Sequence, residues 1–167
     1  MTVSSSTNRV SYNGNGVTKA FSFPHLFYAS GDLAVTLVAA DGTETSQVET
    51  TDYIVSGARD PAGGTVTAVV APAVGQKLVI VREVDFTQEL DLVENDPLPA
   101  DSLEQRLDLQ VMLAQQVKEL TDRSIKFPKA DSTSLSSTLP AAANRAGKAV
   151  VFDASGNVGV SSDDYLD

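Results

Sequence analysis

A chain of 167 residues that is 42% hydrophobic can bury one real core, and its formal net charge of -10 opposes a phosphate-tracking surface, so nucleic acid is not an expected partner. No apolar run approaches the roughly 18 residues of a spanning helix, and the start MTVSSSTNRV lacks the apolar core of a signal peptide; the expectation is a soluble chain made in the cytoplasm, with no membrane partner. With no cysteine, and with His25 as the one histidine, disulfides, thiolate metal sites and the commonest base catalysis drop out, which leaves packing or oligomerisation to supply stability.

The first 11 residues are polar and rich in Ser and Thr, a composition that predicts a flexible arm held only by a partner. Residues 12–96 then read as an antiparallel β-sandwich. Ala20, Phe21 and Phe23 form a short apolar strand that Pro24 ends. Residues 33–40 alternate Leu33, Val35, Leu37 and Ala39 with Ala34, Thr36, Val38 and Ala40, the period of a strand. Asp41-Gly42 supplies a tight hairpin turn, with 43–48 returning. Residues 53–55 and 65–70 make a second pair across a loop holding Gly57, Pro61, Gly63 and Gly64. Ala71-Pro72 closes that pair. KLVIVREV, residues 77–84, is the strongest strand signal, and 86–92 is expected to extend the sheet after a bend at Asp85.

Pro97 and Pro99 forbid an early helix, since proline pushes its preceding residue toward extended geometry. Asp101 is the expected N-cap, with Glu104 completing a capping box, and 102–124 runs without proline or glycine. On a helical wheel Leu103, Leu107, Leu109, Val111, Leu113, Ala114, Val117 and Leu120 spread over roughly 200°, against the stripe of about 100° that one packing surface needs. Such a helix has more than one apolar neighbour. Arg106, Gln110 and Lys118 fall inside the arc or at its edges, which fits a polar layer at a subunit axis better than a monomeric core. Residues 97–128 thus form a proline strap with one helix. Residues 129–147 are small and polar, a linker. Within 148–167, AVVF, the turn DASGN and VGV predict a small β-hairpin.

The search for chemistry ends empty. Glu83, Asp85, Glu89, Asp91, Glu94 and Asp96 resemble the paired carboxylates of a glycosidase, but they lie on one continuous strap with no tryptophan platform, so a structural or docking strap is the better reading. Asn95-Asp96 before Pro97 reads as an Asx-type turn. Asp153-Ala-Ser-Gly-Asn lacks the distal bidentate Glu of a calcium loop and reads as hairpin turn chemistry. No catalytic residue, metal ligand or cofactor is expected. Phe21, Phe23, His25, Phe27 and Tyr28 form an aromatic patch with two readings, the core of the sandwich or an interface anchor.

Several segments resemble one family in order and spacing. TQE at 87–89, ENDPLPA at 94–100, Leu103, Glu104, Leu107, Asp108, the pair Gln115 and Gln116, Asp122 with Arg123, and KFP ending at Pro128 are similar to the N-terminal anchor domain of bacteriophage tail fibres and tailspikes. FSFPHLFYASGDLAVTLVAADGTE at 21–44, TDYIVSG at 51–57, GGTVT at 63–67 and GQKLVIVRE at 75–83 fit the same family, so the resemblance covers roughly 12–128. It implies a structural, non-enzymatic virion protein of the tail that attaches a receptor-binding fibre for host adsorption. It also implies a homotrimer and docking onto tail tube, nozzle or adaptor proteins; the helical arc offers Leu103, Leu107, Gln110, Ala114 and Val117 as the residues that meet near a threefold axis, and the aromatic patch is the candidate docking surface. Downstream fibre or tailspike proteins are further expected partners; on this resemblance 148–167 is a small hairpin or the start of a fibre shaft, and the chain, ending at SSDDYLD without a receptor-binding module, is a short adaptor or the ordered anchor of something longer. The alternative reading is the anchor of a capsule-depolymerising tailspike whose catalytic domain lies elsewhere.

Overall fold

The computed structural model describes residues 3, 5–87, 90–91 and 99–164. They fall into two compact units that divide between Ser124 and Ile125. Antiparallel strands dominate the first unit: β1 (Arg9–Asn13), β2 (Ala20–Phe23), β3 (Leu33–Val38), β4 (Glu44–Ser46), β5 (Tyr53–Ser56), β6 (Gly64–Ala68) and β7 (Lys77–Arg82). They build a four-stranded sheet in the order β1-β7-β3-β4 and a three-stranded sheet in the order β2-β6-β5.

One core joins the inner residues of both sheets. Phe21 and Phe23 of β2, Tyr53 of β5 and Val66 and Ala68 of β6 meet Leu33 and Val35 of β3 and Leu78 and Ile80 of β7. The period-two alternation of these strands turns their apolar residues to one face, and burial of that face drives the association. Two phenols bind across the layers: Tyr53 Oη donates to the Leu33 carbonyl at 3.0 Å and Tyr12 Oη to the Ser22 carbonyl at 2.5 Å. At Gly64 an added Cβ would lie 2.1 Å from the Ser56 carbonyl and 2.7 Å from the Phe27 ring, so only glycine lets β5 and β6 approach there.

The expected turn at Asp41-Gly42 forms. Gly42 takes φ 88°, and Asp41 Oδ1 accepts the Thr43 amide at 2.9 Å. Other expectations change. Residues 9–11, assigned to a flexible arm, belong to β1, which pairs along β7 from Arg9 opposite Val81 to Asn13 opposite Lys77. A partner some 70 residues away supplies the order that local composition does not. Residues 85–87 are not strand, so the sheet extension does not form there, and Gln88, Glu89 and Leu92 lie outside the described residues.

The helix α1 spans Ala100–Asp122, and Pro99, not Asp101, holds the cap position, with no side-chain cap hydrogen bond. The Pro99 carbonyl already accepts the Leu103 amide at 3.0 Å, so the first turn closes earlier than a cap at Asp101 requires. Asp101 instead sits in the first turn, where its charge complements the helix dipole. The Asn95-Asp96 turn lies outside the described residues.

The second unit holds α2 (Ala142–Arg145) and the antiparallel hairpin of β8 (Lys148–Phe152) and β9 (Val158–Asp164). Asp153 Oδ1 accepts the amides of Ser155 and Asn157 at 2.8 and 2.9 Å, and hydrogen bonds from Asn157 first of all hold this carboxyl below its ordinary pKa. The predicted linker is not wholly free of structure. Ser136 joins the hairpin by donating its amide to Asn157 Oδ1 at 2.8 Å and accepting the Val158 amide at 2.9 Å.

Candidate assembly surface on the long helix

Helix α1 meets the β unit with its polar side. The residues it buries are Asp108 and Met112, and Met112 packs with Leu26, Val84, Val3, Tyr28, Leu109 and Leu113. Around that small apolar contact runs a seam of hydrogen bonds. Asp108 accepts the Val3 amide at 3.0 Å through Oδ1 and the Tyr28 hydroxyl at 2.8 Å through Oδ2. Burial, reinforced by this bond to Asp108, raises the Tyr28 pKa. Gln115 donates to the Ser5 carbonyl at 2.7 Å, and Gln116 Oε1 accepts the Val84 amide at 2.9 Å. Glu119 pairs with Arg9 at 3.0 Å and accepts from Asn8 at 3.3 Å.

Arg82, only 2% exposed at the end of β7, donates to the Leu26 carbonyl and to Gln115 Oε1. Desolvation lowers its pKa, while the charges of Asp32 and Asp108 oppose that shift. A buried guanidinium is tolerated only where carbonyls and carboxylates surround it. The seam therefore ties three distant stretches to the helix: the opening residues Val3, Ser5, Asn8 and Arg9, the end of β7, and Tyr28.

The opposite side of α1 carries the apolar stripe. Leu107 is 55% exposed, Val117 48% and Val111 46%; Gln110 is exposed, and Leu103 is half-buried. Leu103, Leu107, Gln110, Ala114 and Val117 follow one another in steps of four, three, four and three residues, the repeat of a coiled-coil seam. Helices of soluble domains ordinarily turn apolar residues inward and polar ones outward. Here Asp108, Gln115, Gln116 and Glu119 face the rest of the first unit, and Leu107, Val111 and Val117 face away from it.

The sequence reading placed the outward residues on one face, and they are together. It missed Met112, which is outside the arc of apolar residues, and Arg82. The signal for the seam was present in Asp108 and the Gln115-Gln116 pair, which stood out only as part of the family pattern.

The aromatic patch divides. Phe21, Phe23 and Phe27 are buried in the main core, with the Phe23 and Phe27 rings edge-to-face at 6.0 Å, so these three offer no docking surface and the interface reading is corrected for them. The alternation that marks β2 as a strand also turns both of its phenylalanines inward. His25 stands edge-on to Phe23 at 5.2 Å, and its Nδ1 has no hydrogen-bond partner among the described residues. Burial, with the Arg82 charge beside it, lowers its pKa. Tyr28 belongs to the helix seam.

Among the described residues no group of three or more His, Asp or Glu side chains is placed to hold a metal ion, and no helix is long and apolar enough to cross a membrane. Of the strap acids, Glu89, Glu94 and Asp96 lie outside the described residues.

No family model matches the chain. It is similar to the tail spike protein of Salmonella phage epsilon15, with 34% identity over 128 residues, which is 77% of this chain and 12% of that protein. The chain thus spans about an eighth of the length of the curated relative it matches. Identity at this level over most of the chain relates it to a phage tail spike protein.

Proposed function

We propose that this chain is a structural protein of a phage tail, the anchor or adaptor through which a receptor-binding fibre attaches to the tail for host adsorption. In this reading the β unit is a sandwich, three chains associate with their α1 helices near a common axis, and the protein has no enzymatic role. The observation that carries it is the outward stripe of Leu103, Leu107, Gln110, Ala114 and Val117, which has coiled-coil spacing and, apart from the half-buried Leu103, is exposed among the described residues. The relationship to a tail spike protein supports the same setting. The side of α1 that binds the β unit makes the hydrogen bonds of the seam around Met112, so the helix is held in place while its apolar side stays available to other copies.

Light scattering on the purified chain tests the reading. At tens of micromolar the wild type is expected to be trimeric, and Leu107→Asp to give monomers or aggregates, because three carboxylates brought to one axis lose water without gaining partners. Leu107 takes no part in the contact with the β unit, so circular dichroism of the variant should retain its strand signal. A monomeric wild type, or a trimer indifferent to Leu107→Asp, removes the proposal. A second reading, the leading segment of a capsule-depolymerising tailspike, is favoured by the small share of the tail spike protein that the chain spans. It places the catalytic carboxylates outside this segment.

A further inference from the structure

The end of the β unit remote from the α1 seam carries an apolar crown. Strand register defines that end: Lys77 of β7 lies opposite Asn13 and Val38, whereas Arg82, which holds α1, lies opposite Leu33 at the other. Loops 14–19, 39–43, 47–52 and 69–76 converge there. From them Val17, Val70 and Val74 project at 80%, 78% and 82% exposure, with Val48 and Val69 more than half exposed. Exposed valines grouped in this way are a sign of an interaction surface, because the loops that bear them are otherwise suited to polar residues.

These loops are stitched together rather than loose. Gly14 and Gly16 donate to the Gln76 and Pro72 carbonyls, both at 2.8 Å, and Val69 donates to the Asp52 carbonyl at 2.8 Å. The contact at Gly14 is so close that an added Cβ would lie 2.2 Å from the Ala73 carbonyl. The valines are thus presented on a preformed surface, which lowers the ordering cost of binding.

Between the two sheets at this end opens a cleft of 130 Å³ floored by Leu37, Tyr53, Val66 and Leu78. A cavity of roughly 150 Å³ lined by apolar side chains holds one benzene ring, so the cleft suits one apolar side chain of that order. Its surroundings are acidic. The four loops carry Asp41, Glu49 and Asp52 against the single cation Lys19, whose Nζ is engaged by the Val69 carbonyl at 2.7 Å. Asp52 lines the cleft, and the Glu49 charge adds to the burial that raises the Tyr53 pKa.

We infer that this crown is the surface by which the β unit docks on another protein, and that the partner presents a protruding apolar side chain flanked by Lys or Arg. The apolar side chain enters the cleft over Tyr53 and the basic flank meets Glu49 and Asp52. The inference rests on the proposed tail-attachment role and replaces the aromatic patch as its docking site. A second copy of the chain is the less suitable occupant, since the crown and the net charge of -10 would bring like charges together.

The test measures binding of the purified chain to tails of its own phage assembled without the fibre. The wild type is expected to bind, and more weakly as salt rises. The double variant Val70→Glu/Val74→Glu and the single variant Glu49→Lys are each expected to bind at least tenfold more weakly. The altered side chains lie outside the core, so unchanged circular dichroism and unchanged oligomer size are the expected controls. Wild-type binding matched by both variants overturns the crown while leaving the attachment role standing. A wild type that fails to bind the tails overturns the attachment role itself. Self-association of the wild type that Val70→Glu/Val74→Glu abolishes would assign the crown to a second copy and overturn the basic partner.

Discussion

Replacing Asp108 with alanine should loosen α1 from the β unit, because this carboxylate is the buried acceptor at the middle of the seam. It takes the Val3 amide at 3.0 Å and the Tyr28 hydroxyl at 2.8 Å, and the substitution removes both acceptors at once. A donor left buried without a partner costs about 1–3 kcal/mol. Val3 and Tyr28 are half-buried, so water reaches them in part and the lower half of that range applies to each. The sum is about 2–4 kcal/mol, a large share of the ~5–15 kcal/mol that stabilises an ordinary domain. The milder Asp108→Asn, which keeps one acceptor oxygen, should lose about half as much.

Urea unfolding at one fixed protein concentration measures the loss, and hydrogen exchange locates it in α1 and the segment before β1. A cycle with Tyr28→Phe isolates the phenol bond and should return a coupling near 1 kcal/mol. A loss below about 0.5 kcal/mol for Asp108→Ala, or strict additivity in the cycle, would refute the role of the carboxylate as the anchor of the helix.

Met112→Ala should cost about 2–4 kcal/mol in thermal or urea unfolding, since this side chain is fully enclosed between α1, Leu26 and Val84; a loss under about 1 kcal/mol would show that the small core beneath the helix does not form. His25 makes stability fall in mild acid. Its folded pKa lies below 6.5, so between that value and the folded pKa the unfolded chain binds the proton first, and stability is lost as pH falls through this window. His25→Gln should flatten the profile of unfolding free energy from pH 7 to 5, and a profile identical to wild type would refute the assignment.

Local patterns carried much of the architecture. Alternation along 33–38 and 77–82, the Asp41-Gly42 turn, the proline that ends β2 and the uninterrupted run after Pro99 each act within a few residues, so strands, hairpins and the long helix were legible. The outward stripe was legible as well, since helical spacing alone puts Leu103, Leu107, Gln110, Ala114 and Val117 on one side. Which side of α1 would turn toward the sheets was not. An apolar arc of roughly 200° allows more than one orientation, and the choice falls to polar groups whose partners are far along the chain. Asp108 takes the amide of Val3, Gln115 the guanidinium of Arg82 and Gln116 the amide of Val84, each pairing a donor that loses water when the helix packs. The same reason moves the polar opening residues from an expected free arm into β1 and the helix seam: composition reports what a segment can do alone, whereas β7 and α1 supply hydrogen-bond partners that no local window contains.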